Sequence, residues 1–233
     1  MKMILSCEHA TATVPDEYAG LFATAPHILE AHRGYDIGAL EVGRMVEDLA
    51  EDAFYGKCSR LLVDLNRTLH HHRLFSSFTR DLSRSKREQI VTDWYYPFRN
   101  PVLHALERTL ARHGEVLHLS LHSFTPELDG VVRPNDIGIL YDPGHHREKE
   151  LARRLAAAMR EVQPNLSVRM NFPYRGISDS HTTALRRRFS KDTYLGIELE
   201  INQRLLAEDR GRTAVGQLLR DSFKKAGIGI PGK

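Results

Sequence analysis

The segment LHLSLHSF, residues 117–124, sets His118, Ser120 and His122 at alternate positions with Leu117, Leu119 and Leu121 between them. A β-strand sends successive side chains to opposite faces. Three leucines would therefore meet a core, while two imidazoles and a hydroxyl line the other side. Imidazole is a frequent metal ligand and acid–base group, and the chain holds 13 histidines in 233 residues. Other apparent strands end in similar chemistry. MKMILSC runs into Glu8 and His9, and SRLLVDLNR ends in Asp64, Asn66 and Arg67. YLGIELEIN carries Glu198 and Glu200 opposite Ile197, Leu199 and Ile201. An unpaired buried charge is costly, so two carboxylates on one face of a central strand call for partners. Histidine, carboxylate, asparagine and arginine together match a hydrolytic zinc site: ligands, a water, a carboxylate base and a cationic substrate clamp.

Each piece also has a structural reading. His9 can be a loop histidine, Asp64 and Arg67 an ion pair, and the two glutamates partners of surface arginines. HHHR at 70–73 and RRR at 186–188 read as solvated patches. No compact motif such as H-E-x-x-H is present, so the site must be assembled by the fold.

The elements that would assemble it alternate in type. Residues 36–54 place Ile37, Leu40, Val42, Met45, Val46 and Leu49 at helical spacing. SRLLVDLNR reads as a short strand, and residues 68–95 as a polar, basic and aromatic excursion. In NPVLHALERTLARHG, Asn100 suits an N-cap, Pro101 the first helical position and Gly114 the end. After LHLSLHSF come IGILYD as a strand, HREKELARRLAAAMREV as an amphipathic helix, LSVRMNFPY and YLGIELEIN as strands, and RTAVGQLLRDSFKKAG as a last helix. Strands alternating with helices predict an α/β protein, a three-layer α/β/α sandwich with a central mostly parallel or mixed sheet. No repeat or linker divides it, so residues 1–233 are expected to form one domain. Ligands in such sheets bind at the carboxyl ends of strands, where these polar residues collect.

Composition bounds the classes. A net charge of +3 does not by itself argue for nucleic acid. Cys7 and Cys58 fall in apparent strands and make neither a disulfide framework nor a thiolate metal site. The start does not read as a signal peptide, no run of about 18 apolar residues occurs, and a cytoplasmic protein with no membrane partner is expected. The competing reading is a non-catalytic anion- or nucleic-acid-binding protein using Arg60, Arg67, Arg73, Arg80, Arg84, Lys86 and Arg87 with Phe75 and Phe78 interleaved. It would need no metal and bind in a steeply salt-dependent way.

In order, SCEHAT…VP, GYDIG, SRLLVDLNR, LHSF, NFPYRG and IELEINQRL resemble the N-formylglutamate amidohydrolase family over about residues 4–206. That family is similar to the zinc carboxypeptidases and aspartoacylases, which implies a zinc-exopeptidase-like fold and one zinc ion at strand ends. The resemblance implies His9 and His122 as metal ligands. Zinc carboxypeptidases place a glutamate three residues after the first histidine, where this chain has Ala12; Asp36 in GYDIG stands in as third ligand, with Glu8 the alternative. Glu200 falls at the late-strand glutamate and is implied as general base, with Glu198 second. Asn66 and Arg67 look like the pair that holds a substrate carboxylate, and Arg60 joins the substrate-binding set. The implied reaction is hydrolysis of an N-acyl amino acid, as in N-formyl-L-glutamate plus water giving formate and L-glutamate. A zinc amidase or carboxypeptidase acting on peptides is the alternative. SLHS, where many members carry an aspartate before the histidine, and CEHA mark a divergent branch with a less fixed substrate.

Overall fold

The strand with the alternating histidines lies inside the sheet it was expected to join. A computed structural model describes residues 1–229; the last four residues of the expected 1–233 domain lie outside them. Six strands form one sheet: β1 (Met3–Cys7), β2 (Asp52–Tyr55), β3 (Val116–Phe124), β4 (Ile137–Leu140), β5 (Val168–Met170) and β6 (Tyr194–Asn202). Their order is β2-β1-β3-β6-β4-β5. The first four are parallel; β4 runs antiparallel to β6, and β5 parallel to β4. The sheet is mixed, and the long strands β3 and β6 are buried throughout.

Helices cover both faces, giving the three-layer α/β/α sandwich. Leu117, Leu119 and Leu121 share a core with Val42 and Val46 of α1 (Ala39–Val46), Leu155 of α4 (His146–Val162) and Leu219 and Phe223 of α6 (Asp209–Lys225). On the other side Ile4, Val116 and Tyr194 pack with Ile90 of α2 (Arg84–Ile90), Val102 and Leu106 of α3 (Tyr96–His113), and Leu185 of α5 (His181–Arg186). Burying one such leucine contributes about 1.5–3 kcal/mol, which pins the register and keeps His118, Ser120 and His122 on the opposite side of the sheet. No described helix is long and apolar enough to cross a membrane.

Several boundaries differ from the sequence pattern. The helix expected over 36–54 is α1 followed by a 3-10 turn (Glu47–Leu49) and the half-buried strand β2. SRLLVDLNR is no strand. Leu62, Val63 and Leu65 are buried, but turns and side chains satisfy the backbone: Asp64 N–H donates to Leu74 O at 2.8 Å, and Ser76 Oγ to Leu61 O at 2.5 Å. Cys58 accordingly sits in a loop, although buried. The helix expected to begin at Asn100 starts at Tyr96, with Pro101 inside it, and follows a π-turn (Val91–Tyr95); its end at Gly114, φ 75°, is as expected. LSVRMNFPY pairs only over Val168–Met170.

RRR is a partial correction. Arg186 is half-buried, with its side chain only 8% exposed: its Nε donates to Glu148 at 2.9 Å, and it also donates to the carbonyls of Gly176 (2.6 Å) and Gly196 (2.7 Å). Glu148 is fully buried, and Gly196 N–H donates to it at 2.8 Å. Removing one member of a buried pair strands the other, at roughly 3–5 kcal/mol. Arg186→Met should lower stability by about that much, read as a fall in the urea midpoint, whereas a change at the neighbouring exposed Arg187 should leave it nearly unmoved.

Candidate active site

Backbone contacts bring two distant segments to the end of β1. Asp36 N–H donates to His9 O at 2.9 Å, and Gly38, φ 78°, starts α1 two residues later. A side chain at Gly38 would be strained and would meet Leu206 Cβ at 2.7 Å, so the glycine allows the turn that presents Asp36. Ser123 Oγ donates to Ile37 O at 2.8 Å, tying this turn to the end of β3. The register of β3 with β6 sets Ser120 beside Glu198 and His122 beside Glu200.

His9, Asp36 and His122 thus come together, each able to offer one ligand atom, with these atoms within 4.8 Å of one another. Both imidazoles turn Nδ1 toward Asp36 Oδ2, at 3.4 Å for His9 and 2.7 Å for His122. Their far nitrogens are occupied. His9 Nε2 lies 2.7 Å from Asp64 Oδ1. His122 Nε2 lies 2.9 Å from Ser120 Oγ, which donates to Glu8 Oε2 at 2.7 Å. Metal-binding histidines almost always give the other ring N–H to a carboxylate, carbonyl or water. The donor set of two imidazoles and a carboxylate suits zinc with an open fourth position.

Glu8, the alternative third ligand, lies behind this group. Its carboxylate accepts from Ser6 Oγ (2.9 Å) and Ser120 Oγ (2.7 Å) and lies 2.9 Å from His181 Nδ1. His118 continues the wiring, 2.8 Å from Ser6 Oγ and 2.9 Å from the Tyr194 hydroxyl. Glu8, His118 and His181 also form a compact group of ligand types, but their donors and acceptors are taken up by this network. Burial pushes His118 down to about 3 and His181 down to about 4, so both sit neutral in the interior.

Electrostatics separate the carboxylates. Burial disfavours ionised Asp36, yet the His9 charge and hydrogen bonds from both histidines hold it well below the usual range. Burial likewise opposes charge on His122, but its hydrogen bond to Asp36 and the charges of Asp36, Glu8 and Glu200 hold its proton up to about 10. Burial pushes Glu200 up to about 7 against the His122 charge, with Asp36 and Glu198 adding to the rise. Glu198 accepts from Ser180 Oγ and Thr182 Oγ1, at 2.7 and 2.5 Å, whereas buried Glu200 Oε2 has no hydrogen-bond partner among the described residues. A buried acceptor left unsatisfied calls for an explanation.

Asn66 and Arg67 reach the same cavity, about 300 Å³, with His9, His122, Glu198 and Glu200. Arg99 and the Tyr95 hydroxyl donate to Arg67 O at 3.4 and 2.8 Å, fixing the loop. Arg67 Nη1 donates to Asp179 O, while its Nε lies 3.9 Å from Asp64 Oδ2 and has no hydrogen-bond partner among the described residues. The Asn66 amide is engaged by His181 N–H at 2.7 Å and lies 3.3 Å from His122 Nε2. Arg60, named with the substrate-binding residues, lines the cavity with its guanidinium between Asp64 (3.0 Å) and Asp36 (3.5 Å). Its charge serves those carboxylates. Ser180, His181 and Tyr174 do not stand out in the sequence as site residues; Ser180, which caps α5 by accepting from Thr183 N–H at 3.2 Å, carries no local sign that links it to Glu198, nor His181 one that links it to Glu8.

Among solved structures, a gene product of Agrobacterium tumefaciens is 30% identical, with a TM-score of 0.81 over 97% of this chain and 90% of that one. The N-formylglutamate amidohydrolase of Ralstonia eutropha JMP134 is 16% identical, with a TM-score of 0.75 over 97% and 93%. It shares the fold. No curated protein matches the chain. The family model for N-formylglutamate amidohydrolase matches residues 1–207. A match over that length, carrying the strands and every residue of the His9–Asp36–His122 group, makes the chain a member of the N-formylglutamate amidohydrolase family.

Proposed function

We propose that the chain is a zinc-dependent amidohydrolase cleaving the amide of an N-acyl amino acid, with N-formyl-L-glutamate, giving formate and L-glutamate, as the reference substrate. The carrying observation is the pair of histidines aimed at one carboxylate, each braced from behind by Asp64 or by Ser120 and Glu8. His9, Asp36 and His122 would hold the ion, which supplies Lewis acidity toward the amide carbonyl and activates water. Glu200, with a free buried oxygen on the cavity side, accepts the proton of the attacking water and returns it to the leaving nitrogen. Glu198, held by two hydroxyls, keeps the neighbouring strand position polar and fixed. Arg67 binds the substrate carboxylate and so orients the amide; Asn66 holds the loop beside His181.

The anion-binding alternative is less well supported. Within its basic run Arg84 pairs with Glu88 at 2.8 Å, Arg80 with Asp81 at 3.5 Å and Arg60 with Asp64 at 3.0 Å, which leaves a patch of mixed charge. The test is formate and amino-acid release from a panel of N-acyl amino acids with added zinc. Turnover dependent on a free α-carboxylate supports the reading; no hydrolysis of any member overturns it. On this panel Arg67→Lys should raise KM about tenfold or more for carboxylate substrates, since lysine keeps the charge but loses the planar fork. An equal loss on a neutral amide would make Arg67 structural.

A further inference from the structure

The cavity at His9, Asp36 and His122 shares part of its wall with a larger one. The inner cavity, about 300 Å³, and an outer one, about 680 Å³, share Asp36, Arg60, Arg73, Ser123, Leu128 and Tyr174. Asn66 and Arg67 line only the inner cavity; Thr125, Glu127, Asp129 and Gln203 line only the outer. Ligand pockets span roughly 300–1,000 Å³. The inner space lies at the floor of that range, and the outer adds more than its own volume again.

The outer cavity is chemically mixed. Arg33 and Arg73 face it with Glu127 and Asp129, together with the neutral hydrogen-bonding groups of Thr125 and Gln203. Among the described residues the guanidinium of Arg73 has neither a hydrogen-bond nor an ion-pair partner. Where the cavities meet, Tyr174 is 42% exposed. Its ring lies 5.1 Å from the Arg133 guanidinium, and its hydroxyl accepts from Arg133 Nη1 at 3.1 Å, so a fixed aromatic surface stands at the passage. An aliphatic acyl chain here would strip water from charged groups without replacing their hydrogen bonds. A peptide chain carries its own donors and acceptors.

We infer that the outer cavity is a subsite for a peptidic acyl group. The substrate's carboxyl-terminal amino acid lies in the inner cavity with its carboxylate at Arg67, and at least one further amino-acid residue runs past Tyr174 beside the hairpin of residues 127–132. The inference rests on the amidohydrolase reading of the inner cavity. The bond broken is the last peptide C–N bond; water gives its hydroxyl to the acyl carbon and a proton to the departing amine, so no other reactant is needed.

The test compares N-formylglutamate with acetyl-Ala-Ala-Glu on the zinc-loaded protein, following glutamate release from both. The expected result is a kcat/KM about tenfold or more higher for the peptide, because binding energy from the remote acyl residues is available for catalysis. Thr125→Trp, which fills the outer cavity, should bring the ratio of the two kcat/KM values toward one. Glu127→Trp, on the exposed hairpin, serves as the second filling variant should Thr125→Trp fail to fold. A wild-type protein that prefers N-formylglutamate, or a ratio that both tryptophans leave unchanged, overturns the subsite and leaves the amidohydrolase reading standing. Hydrolysis of neither substrate overturns the subsite, and the amidohydrolase reading falls with it only if every member of the N-acyl amino-acid panel is also left uncleaved.

Discussion

Glu200→Gln is expected to lower kcat about 10²–10⁴-fold, the usual contribution of a general base, with zinc still bound and the fold intact. Glutamine keeps the shape of the side chain but cannot accept a proton. The expectation stands on two features: Glu200 sits beside His122 across the β3–β6 pairing, and its buried Oε2 has no hydrogen-bond partner among the described residues. Glu198 sits two residues back on the same face, but both Ser180 and Thr182 donate to its Oε1. Glu198→Gln should therefore act mainly on stability, with a much smaller loss of kcat. Near-normal turnover in Glu200→Gln alongside a collapse in Glu198→Gln would move the base to Glu198. Loss of zinc in Glu200→Gln would make it a ligand.

Dialysis against a chelator is expected to bring hydrolysis to background, and zinc should restore it. Stripping should leave the far-ultraviolet circular dichroism unchanged. His122 and His9 also reach Asp36 Oδ2 directly, at 2.7 and 3.4 Å, and the hydrophobic clusters that hold the strands and helices together do not include these three side chains. A structural zinc would behave differently, since the chain would unfold with its removal. Turnover unaffected by complete chelation would exclude a metal-dependent reaction.

The parts of this fold that could be read from the sequence are those in which local pattern and tertiary burial agree. LHLSLHSF and YLGIELEIN alternate cleanly and lie inside the sheet, the first between two parallel neighbours and the second between a parallel and an antiparallel one, and β3 and β6 begin and end within a residue of those segments. HREKELARRLAAAMREV has one apolar face on the core and coincides with α4. The misreadings occurred where burial and backbone pairing part company. Leu62, Val63 and Leu65 are as buried as strand residues, so SRLLVDLNR reads as a strand, yet its backbone is satisfied by turns and by Ser76. DAFY is only half-buried and directly follows helical spacing, which hides β2. At the site, His9, His122, Glu198 and Glu200 can be named because strand ends and the family resemblance both point to them, and Asp36 because the resemblance alone does. Their bracing could not. Glu8 meets His181 across 173 residues of sequence, and Asp64, visible as an acid in DLNR, gives no local sign that it faces His9. Arg186 looked solvated as one of three consecutive arginines, and only its buried partner Glu148 distinguishes it.

The metal centre itself is tested most directly by elemental analysis of purified wild-type protein beside His9→Ala, Asp36→Ala and His122→Ala, each checked for a native circular dichroism spectrum. The expected result is about one zinc per chain in the wild type, set by a site of three protein ligands, and far less than one in each folded variant. Full zinc stoichiometry in folded His9→Ala and His122→Ala would contradict a centre formed by His9, Asp36 and His122.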